Sequence, residues 1–290
     1  MLKLLVQLDA DRLPSVFDRI VALDAGADQV LSYGGVAEAD VGGLVQGALF
    51  TRGPKDLKSS AVFIGGSSVA EAERLFRAAR KAFFGPFKVS LLLDPNGSNT
   101  TAAAAVVKLS RAMGGEDPGV MKGRRVAVIP GTGPVGARAA GLFLRRGAEV
   151  RISSRDAARG AAAAETIGAR FRGTVGHVVV RDPIQARDLV SWAEVLLVAG
   201  PPGVRLVPRE SWAGQASLRA VADVNAVPPE GVEGVDPRDD GTPRDGVQAF
   251  GALGIGGLKM KAHKAAIARL FERNDLVLDA EEIHDLAAGL

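Results

Sequence analysis

The chain has 290 residues, 47% of them hydrophobic and 5% aromatic, and 36 Lys and Arg against 33 Asp and Glu leave a formal charge of +3. There is no cysteine, which excludes disulfides, thiolate metal sites and cysteine nucleophiles. His177, His263 and His284 lack metal-ligand spacing, and the basic residues alternate with acidic ones instead of forming the patch that a nucleic acid requires.

No apolar run approaches the length of a membrane span, and residues 1–15 lack the apolar core of a signal peptide, so a cytoplasmic chain without a membrane partner is expected. Residues 4–8 read as a strand and residues 14–23 as a helix with Pro14 in its first turn. Residues 46–50 and 61–64 read as buried strands. Apolar residues recur at helical spacing over 70–84, where Gly85-Pro86 ends the helix. Residues 89–93 form a further strand that runs into Asp94-Pro95-Asn96-Gly97. A helix over 100–113, with Asn99 as its cap, stops at Gly114-Gly115. A second α/β series follows, with strands at 125–129, 149–153, 177–180, 195–199 and 220–224. Residues 226–246, rich in Pro, Gly and Asp, read as an irregular excursion. Helices at 259–270 and 280–288 close the chain, the tail folding back on the first domain.

The most specific local signal is Arg125-Val-Ala-Val-Ile-Pro-Gly131-Thr132-Gly133-Pro134-Val135-Gly136. It follows a β-branched strand and opens an amphipathic helix, the setting that a dinucleotide-binding turn requires. Gly131 permits the tight turn, Gly133 leaves room for a pyrophosphate, and Gly136 lets the helix pack close to the sheet. The N–H groups of the helix start then face the phosphates.

The tip of the second strand reads Arg151-Ile-Ser-Ser154-Arg155-Asp156. An NAD enzyme usually places a carboxylate there for the ribose hydroxyls. Hydroxyls and a guanidinium instead suit a 2′-phosphate, so NADP is the expected cofactor, with NAD as a second one. Asp156 also fits a helix cap, and Arg155 a solvated surface charge. The turns Ala199-Gly200-Pro201 and Asn225-Ala226 follow the fourth and fifth strands and are candidates to flank the nicotinamide, or ordinary turns.

Several segments together resemble the methylene-tetrahydromethanopterin dehydrogenase family. They are Pro14-Ser-Val-Phe17-Asp18, Thr51-Arg52-Gly53, Phe83-Phe-Gly-Pro-Phe87, Asn96-Gly-Ser-Asn99-Thr100-Thr101, Gly131–Gly136, Ala249-Phe-Gly-Ala-Leu-Gly-Ile-Gly-Gly-Leu-Lys259 and Leu278-Asp-Ala-Glu-Glu-Ile283. The resemblance spans essentially the whole chain. It implies an α/β fold of two domains separated by a cleft: an N-terminal α/β substrate domain, residues 1–99 plus a C-terminal helix at about 272–290, and a Rossmann-like NADP-binding domain, residues 100–271. It further implies a homo-oligomer that transfers hydride from methylene-tetrahydromethanopterin, methylene-tetrahydrofolate or both to NADP in one-carbon metabolism. No residue separates the two pterins.

Such a transfer needs no obligatory acid or base, only correct placement and stabilisation of the developing cation. Asp94, at a strand end, is a candidate to balance that charge or bind the pterin. Asn96, Asn99 and Thr100 just after it are candidates to bind the substrate, or else the segment is a plain turn with Asn99 as a helix cap. The resemblance places the active-site lysine at Lys259, which is read as starting a helix after Gly251, Gly254, Gly256 and Gly257. It would anchor a pterin carbonyl or orient the substrate. Phe17 and Asp18, and Thr51 and Arg52 after the strand expected at 46–50, are further candidates for the pterin ring and tail. A shikimate- or amino-acid-type Rossmann dehydrogenase would use a Lys–Asp pair but lacks these segments. A non-catalytic NADP-binding sensor leaves the polar cluster at 94–101 unexplained. A combined dehydrogenase–cyclohydrolase would need an activated water, for which no dedicated base is seen.

Overall fold

The computed structural model describes residues 1–115, 117 and 119–290. In chain order the elements are β1 (Leu4–Asp9), α1 (Val16–Asp24), β2 (Gln29–Tyr33), α2 (Glu38–Phe50), β3 (Ser60–Gly65), α3 (Val69–Lys81), β4 (Ser90–Leu93) and α4 (Ser98–Ala112). There follow β5 (Arg125–Ile129), α5 (Pro134–Arg145), β6 (Glu149–Ser154), α6 (Ala157–Phe171), β7 (Val175–Val179), α7 (Pro183–Trp192), β8 (Val195–Val198), α8 (Arg209–Trp212) and β9 (Ala220–Asp223). The chain ends with β10 (Asp240–Arg244), β11 (Val247–Phe250), α9 (Ala252–Arg269), β12 (Val277–Leu278) and α10 (Ala280–Ala288). It divides into two units, residues 1–100 with 260–290, and residues 101–259.

The first unit is a parallel sheet in the order β12-β4-β3-β1-β2. β3 is buried along its whole length, which explains its unbroken apolar character: a parallel strand covered on both faces has no solvent side to mark with polar residues. Hydroxyls start two of its helices. Ser15 accepts from Asp18 N–H and Ser68 from Glu71 N–H, and caps of this kind each stabilise by about 1 kcal/mol. α3 also carries Glu71 in its first turn and Arg80 and Lys81 in its last, matching the helix dipole.

The second unit is a seven-stranded sheet in the order β10-β11-β9-β8-β5-β6-β7. All pairings are parallel except the β10–β11 hairpin. Leaving the hairpin strand aside, the unit's third, second, first, fourth, fifth and sixth strands follow one another, the doubly wound order whose direction reverses between β5 and β8. Ligands in such sheets lie outside the carboxyl ends of the strands at that reversal. No helix among the described residues is long and apolar enough to cross a membrane.

Five local readings change. Residues 46–50 are the last part of α2, not a strand. Val41, Val45 and Leu49 bury one face every four residues, a period that glycines at 42, 43 and 47 and the short apolar run disguise. The strand β2, at a sheet edge with only partial burial, has too weak an alternation to stand out. α4 begins at Ser98, so Asn99 is inside the helix and not its cap. The excursion at 226–246 contains β10, paired in a hairpin with β11. Likewise α9 starts at Ala252, placing Lys259 well inside it.

Candidate functional site

In the first unit, β1 ends at Asp9, β3 at Gly65 and β4 at Leu93, adjacent strands in the sheet. Asp94 follows β4, and its N–H donates to the Ile64 carbonyl of β3 at 3.1 Å. Its carboxylate is fully buried. Oδ1 accepts the N–H groups of Asn99 (2.9 Å) and Thr100 (3.1 Å), and Oδ2 accepts the Thr100 hydroxyl at 2.7 Å. Asp94 is therefore the group that caps α4, supplying the negative charge that a helix N-terminus attracts. Asn99 Nδ2 donates to the Leu93 carbonyl at 2.6 Å and to Asp279 Oδ1 at 2.9 Å, which ties α4 to the cap of α10. Asn96 is the exposed member of this turn, held in a left-handed backbone conformation (φ 51°) that asparagine tolerates better than most residues.

No sequence motif marks Asp9. It is buried, and its carboxylate accepts N–H bonds from Asp11 (2.9 Å) and Ser15 (3.3 Å), fixing the loop that enters α1. Burial pushes the Asp9 carboxyl above its usual range, the Asp11 charge adds to this, and the two N–H bonds oppose it. Gly66 follows β3 with φ 110°, and a Cβ there would lie 3.2 Å from Asp9 Oδ1, so the turn is built to pass close to this carboxylate.

Phe17 and Asp18 open α1 from the same loop. Asp18 is buried and its Oδ1 lies 3.9 Å from Nε2 of His263, a fully buried residue of α9. The His263 ring stacks on Phe63 (6.0 Å between centroids) and meets the Phe17 ring at 6.2 Å. His263 has no metal-type spacing in sequence; the signal that marks it is its position one helical turn after Lys259. Phe17 remains 48% exposed, enough for its ring to offer a face to a ligand.

Thr51 and Arg52 are not brought to this edge. They follow α2, the Thr51 hydroxyl donates to the Ala48 carbonyl at 3.0 Å, and Arg52 Nη2 donates to the Leu2 carbonyl at 2.8 Å. Leu2 precedes β1, so this pair sits at the amino ends of the strands, opposite Asp9 and Asp94.

In the second unit the Gly131–Gly136 turn joins β5 to α5 next to the β5–β8 reversal. Gly131 N–H donates to the Ser153 carbonyl of β6 at 3.0 Å, and Ala199 N–H, at the end of β8, donates to the Ile129 carbonyl at 2.8 Å. The three glycines have different reasons. A Cβ on Gly131 would lie 2.2 Å from the Ile152 Cβ, and one on Gly136 would lie 2.2 Å from the Pro130 carbonyl oxygen. A Cβ on Gly133 would meet nothing nearer than the Ala199 carbonyl at 3.9 Å. Gly133 is also the α5 N-cap and has no side chain to satisfy the helix N–H groups, while Pro134 has no N–H to offer. Thr132 and Val135 flank it, partly exposed. An open cradle at an uncapped helix start fits a pyrophosphate.

At the tip of β6, Ser154 is buried and its hydroxyl oxygen accepts Asp156 N–H at 3.2 Å. Asp156 caps α6 by accepting Arg159 N–H at 2.7 Å, and Arg155 is exposed. Pro201 and Ala226 are exposed, Ala199 and Gly200 half-buried. Asn225 is buried, and its amide holds the Val227 N–H and the carbonyls of Val227 and Pro229, so it shapes the loop after β9. Asp223 braces the same loop through N–H bonds from Asn225 and Val232; burial pushes its carboxyl up, and those bonds draw it back. Lys259 is half-buried in α9, whose first turns approach residues 236–240 closely: a Cβ on Gly254 would fall 2.0 Å from the Asp239 carbonyl oxygen, whereas Gly256 and Gly257 face open space.

Strand order and glycine turn define an α/β protein with a Rossmann-like dinucleotide-binding unit. The shikimate 5-dehydrogenase of Listeria monocytogenes, solved in complex with shikimate and NAD, shares this fold: TM-score 0.54 at 15% identity, over 98% of this chain and 96% of that one. Sequence likeness is narrower. Residues 16–96 match the family model described as methylene-tetrahydromethanopterin dehydrogenase, N-terminal. The chain is 47% identical over 285 residues to the Bifunctional protein MdtA of Methylorubrum extorquens, covering 98% of each. It is 34% identical over 280 residues to the NAD(P)-dependent methylenetetrahydromethanopterin dehydrogenase of the same organism, covering 95% of this chain and 94% of that protein. The chain belongs to the methylene-tetrahydromethanopterin dehydrogenase family.

Proposed function

We propose that this chain is an NADP-dependent oxidoreductase of one-carbon metabolism that oxidises methylene-tetrahydromethanopterin, methylene-tetrahydrofolate or both to the methenyl form, with NAD as a second cofactor. The near full-length likeness to a relative bearing that dehydrogenase name carries the reading. The shikimate-type alternative has only the shared fold in its favour.

When bound, the nicotinamide supplies the acceptor for the hydride that leaves the methylene carbon. The chain's own residues do the rest. The Gly131-Thr132-Gly133-Pro134-Val135-Gly136 turn and the N–H groups of α5 hold the pyrophosphate, Ser154 and Arg155 the ribose phosphate, and Ala199, Gly200, Pro201, Asn225 and Ala226 the rim beside the nicotinamide. The unit formed by residues 1–100 and 260–290 receives the pterin. Phe17 offers it a ring face, Asp18 a carboxylate backed by His263, and Asn96 an exposed amide. Asp94 acts as a positioning residue, because its bonds to Asn99 and Thr100 set the start of α4. Lys259 anchors a pterin carbonyl; its ammonium would oppose the forming cation, so it orients the substrate and does not stabilise the charge. Thr51 and Arg52 would reach a substrate only through an extended tail. The working form is a homo-oligomer.

The test offers both methylene pterins to the pure protein with NADP or NAD and follows the reduced nicotinamide by its absorbance. NADP-linked turnover with either pterin is expected. Dinucleotide binding without turnover on both pterins would overturn the dehydrogenase assignment.

A further inference from the structure

We propose that Arg181 supplies a second guanidinium, beside Arg155, to the 2′-phosphate of NADP; this rests on the NADP reading above. β6 and β7 are parallel neighbours with Ser154 opposite Val179, and Val180 N–H donates to the Ser154 carbonyl at 2.9 Å. Each strand then runs into the same dipeptide, Arg155-Asp156 after β6 and Arg181-Asp182 after β7. The two arginines therefore leave the carboxyl edge of the sheet from adjoining strands, each next to a residue of that one hydrogen bond.

Both aspartates are engaged as helix caps. Asp156 accepts Arg159 N–H at 2.7 Å and Asp182 accepts Gln185 N–H at 2.9 Å, each capping its own helix. Neither α6 nor α7 has an acidic residue in its first turn. The Arg181 backbone is fixed by its N–H bond to Gln185 Oε1 at 2.8 Å, while its side chain is exposed. Two arginines carried on adjoining strand ends are suited to share one dianion through charge-assisted bonds. A phosphate monoester on the adenosine ribose has that charge, and the bare ribose of NAD does not. Arg181 therefore reads the phosphate and not the dinucleotide as a whole.

The experiment measures, by calorimetry, binding of NADP, NAD, 2′,5′-ADP and 5′-AMP to the full chain and to Arg181→Ala, Arg155→Ala and Arg187→Ala. Arg187 is an exposed residue further along α7 and reports the loss of one positive charge alone. Loss of one charge-assisted bond should weaken NADP and 2′,5′-ADP about tenfold in Arg181→Ala, with NAD and 5′-AMP within about twofold. The KM for NADP should rise with kcat unchanged, and Arg187→Ala should behave as the parent. Equal weakening of NADP and NAD, or of neither, overturns the role of Arg181. If Arg155→Ala alone discriminates, the 2′-phosphate site stands and Arg181 is not part of it. If the parent chain binds neither dinucleotide, the cofactor reading itself falls.

Discussion

Gly131 lies against Ile152 of the neighbouring strand so closely that a methyl group on it would sit 2.2 Å from the Ile152 Cβ, whereas two residues on, a methyl group on Gly133 would meet nothing nearer than the Ala199 carbonyl oxygen at 3.9 Å. The fold requires the first glycine, and the proposed pyrophosphate site accounts for the second. Gly131→Ala should lower stability by at least about 2 kcal/mol, because a β-branched side chain rooted in the sheet has no room to withdraw. Gly133→Ala should stay within about 1 kcal/mol of the parent and lose dinucleotide affinity at least about tenfold. Denaturant unfolding and nucleotide titration on the two variants separate these effects; parallel losses in both would mean that Gly133 is structural as well.

Thr100→Val removes the hydroxyl that donates to Asp94 Oδ2 and leaves a buried carboxylate oxygen without that bond. The expected loss is about 1–3 kcal/mol in chemical unfolding. Nucleotide affinity should not change, since the dinucleotide turn belongs to the other unit. An unaltered unfolding curve would count against the capping role of Asp94.

Glu194 braces the amino ends of β5 and β8. Its Oε1 accepts Arg124 Nη1 at 2.8 Å and its Oε2 accepts Arg125 N–H at 3.1 Å. Burial alone would push its carboxyl up, but the Arg125 N–H, the Arg124 bond and both guanidinium charges outweigh that and hold it below the usual carboxylate range. A depressed carboxyl contributes stability above its unfolded pKa and loses it as pH falls through the folded one. The Arg124 and Arg125 side chains remain 42% and 41% exposed, so solvent screening limits the contribution to about 1 kcal/mol. Glu194→Gln should therefore be less stable than the parent at neutral pH, and the gap should close in acid. Turnover should be unaffected, as these strand ends are opposite the dinucleotide turn. A gap that is constant with pH would show that the ionised form is not what matters.

Lys259→Ala should reduce turnover with methylene pterin at least about tenfold and leave NADP titration unchanged. Steady-state rates with each pterin, set beside nucleotide binding, decide it. Unchanged kcat and KM would remove Lys259 from the site.

Strands β5 to β9 of the second unit were legible in the sequence and the β10–β11 hairpin was not, and the reason is local. β5 and β8 are short apolar runs bounded by turn residues, whereas β10 reads Asp-Gly-Thr-Pro-Arg. The proposed dinucleotide turn is one contiguous stretch from Arg125 to Gly136, so the chemistry and its setting can be read together. The first unit was less transparent. Its helix α2 carries glycines that break up the apolar period, and β2 lies at an edge. Thr51 and Arg52 follow a helix and not the strand that their apolar neighbours suggest, and so fall at the amino ends of the strands.

What the sequence determined by itself is the set of contiguous signals: the α/β alternation, the glycine turn, the cation-bearing tip of β6 and the family segments. What only the tertiary structure decided is which distant residues share an edge. Asp9 ends β1 and Asp94 follows β4, the strands that flank β3, His263 reaches Asp18 from α9, Asn99 bonds to Asp279, and Arg155 and Arg181 follow adjoining strand ends because β7 pairs with β6. In a parallel sheet each crossover carries the chain back before the next strand begins, so neighbours at the carboxyl edge are separated by a whole helix in sequence. No spacing rule along the chain records such a pairing; hydrogen bonding between strands and burial of the helices against them create it.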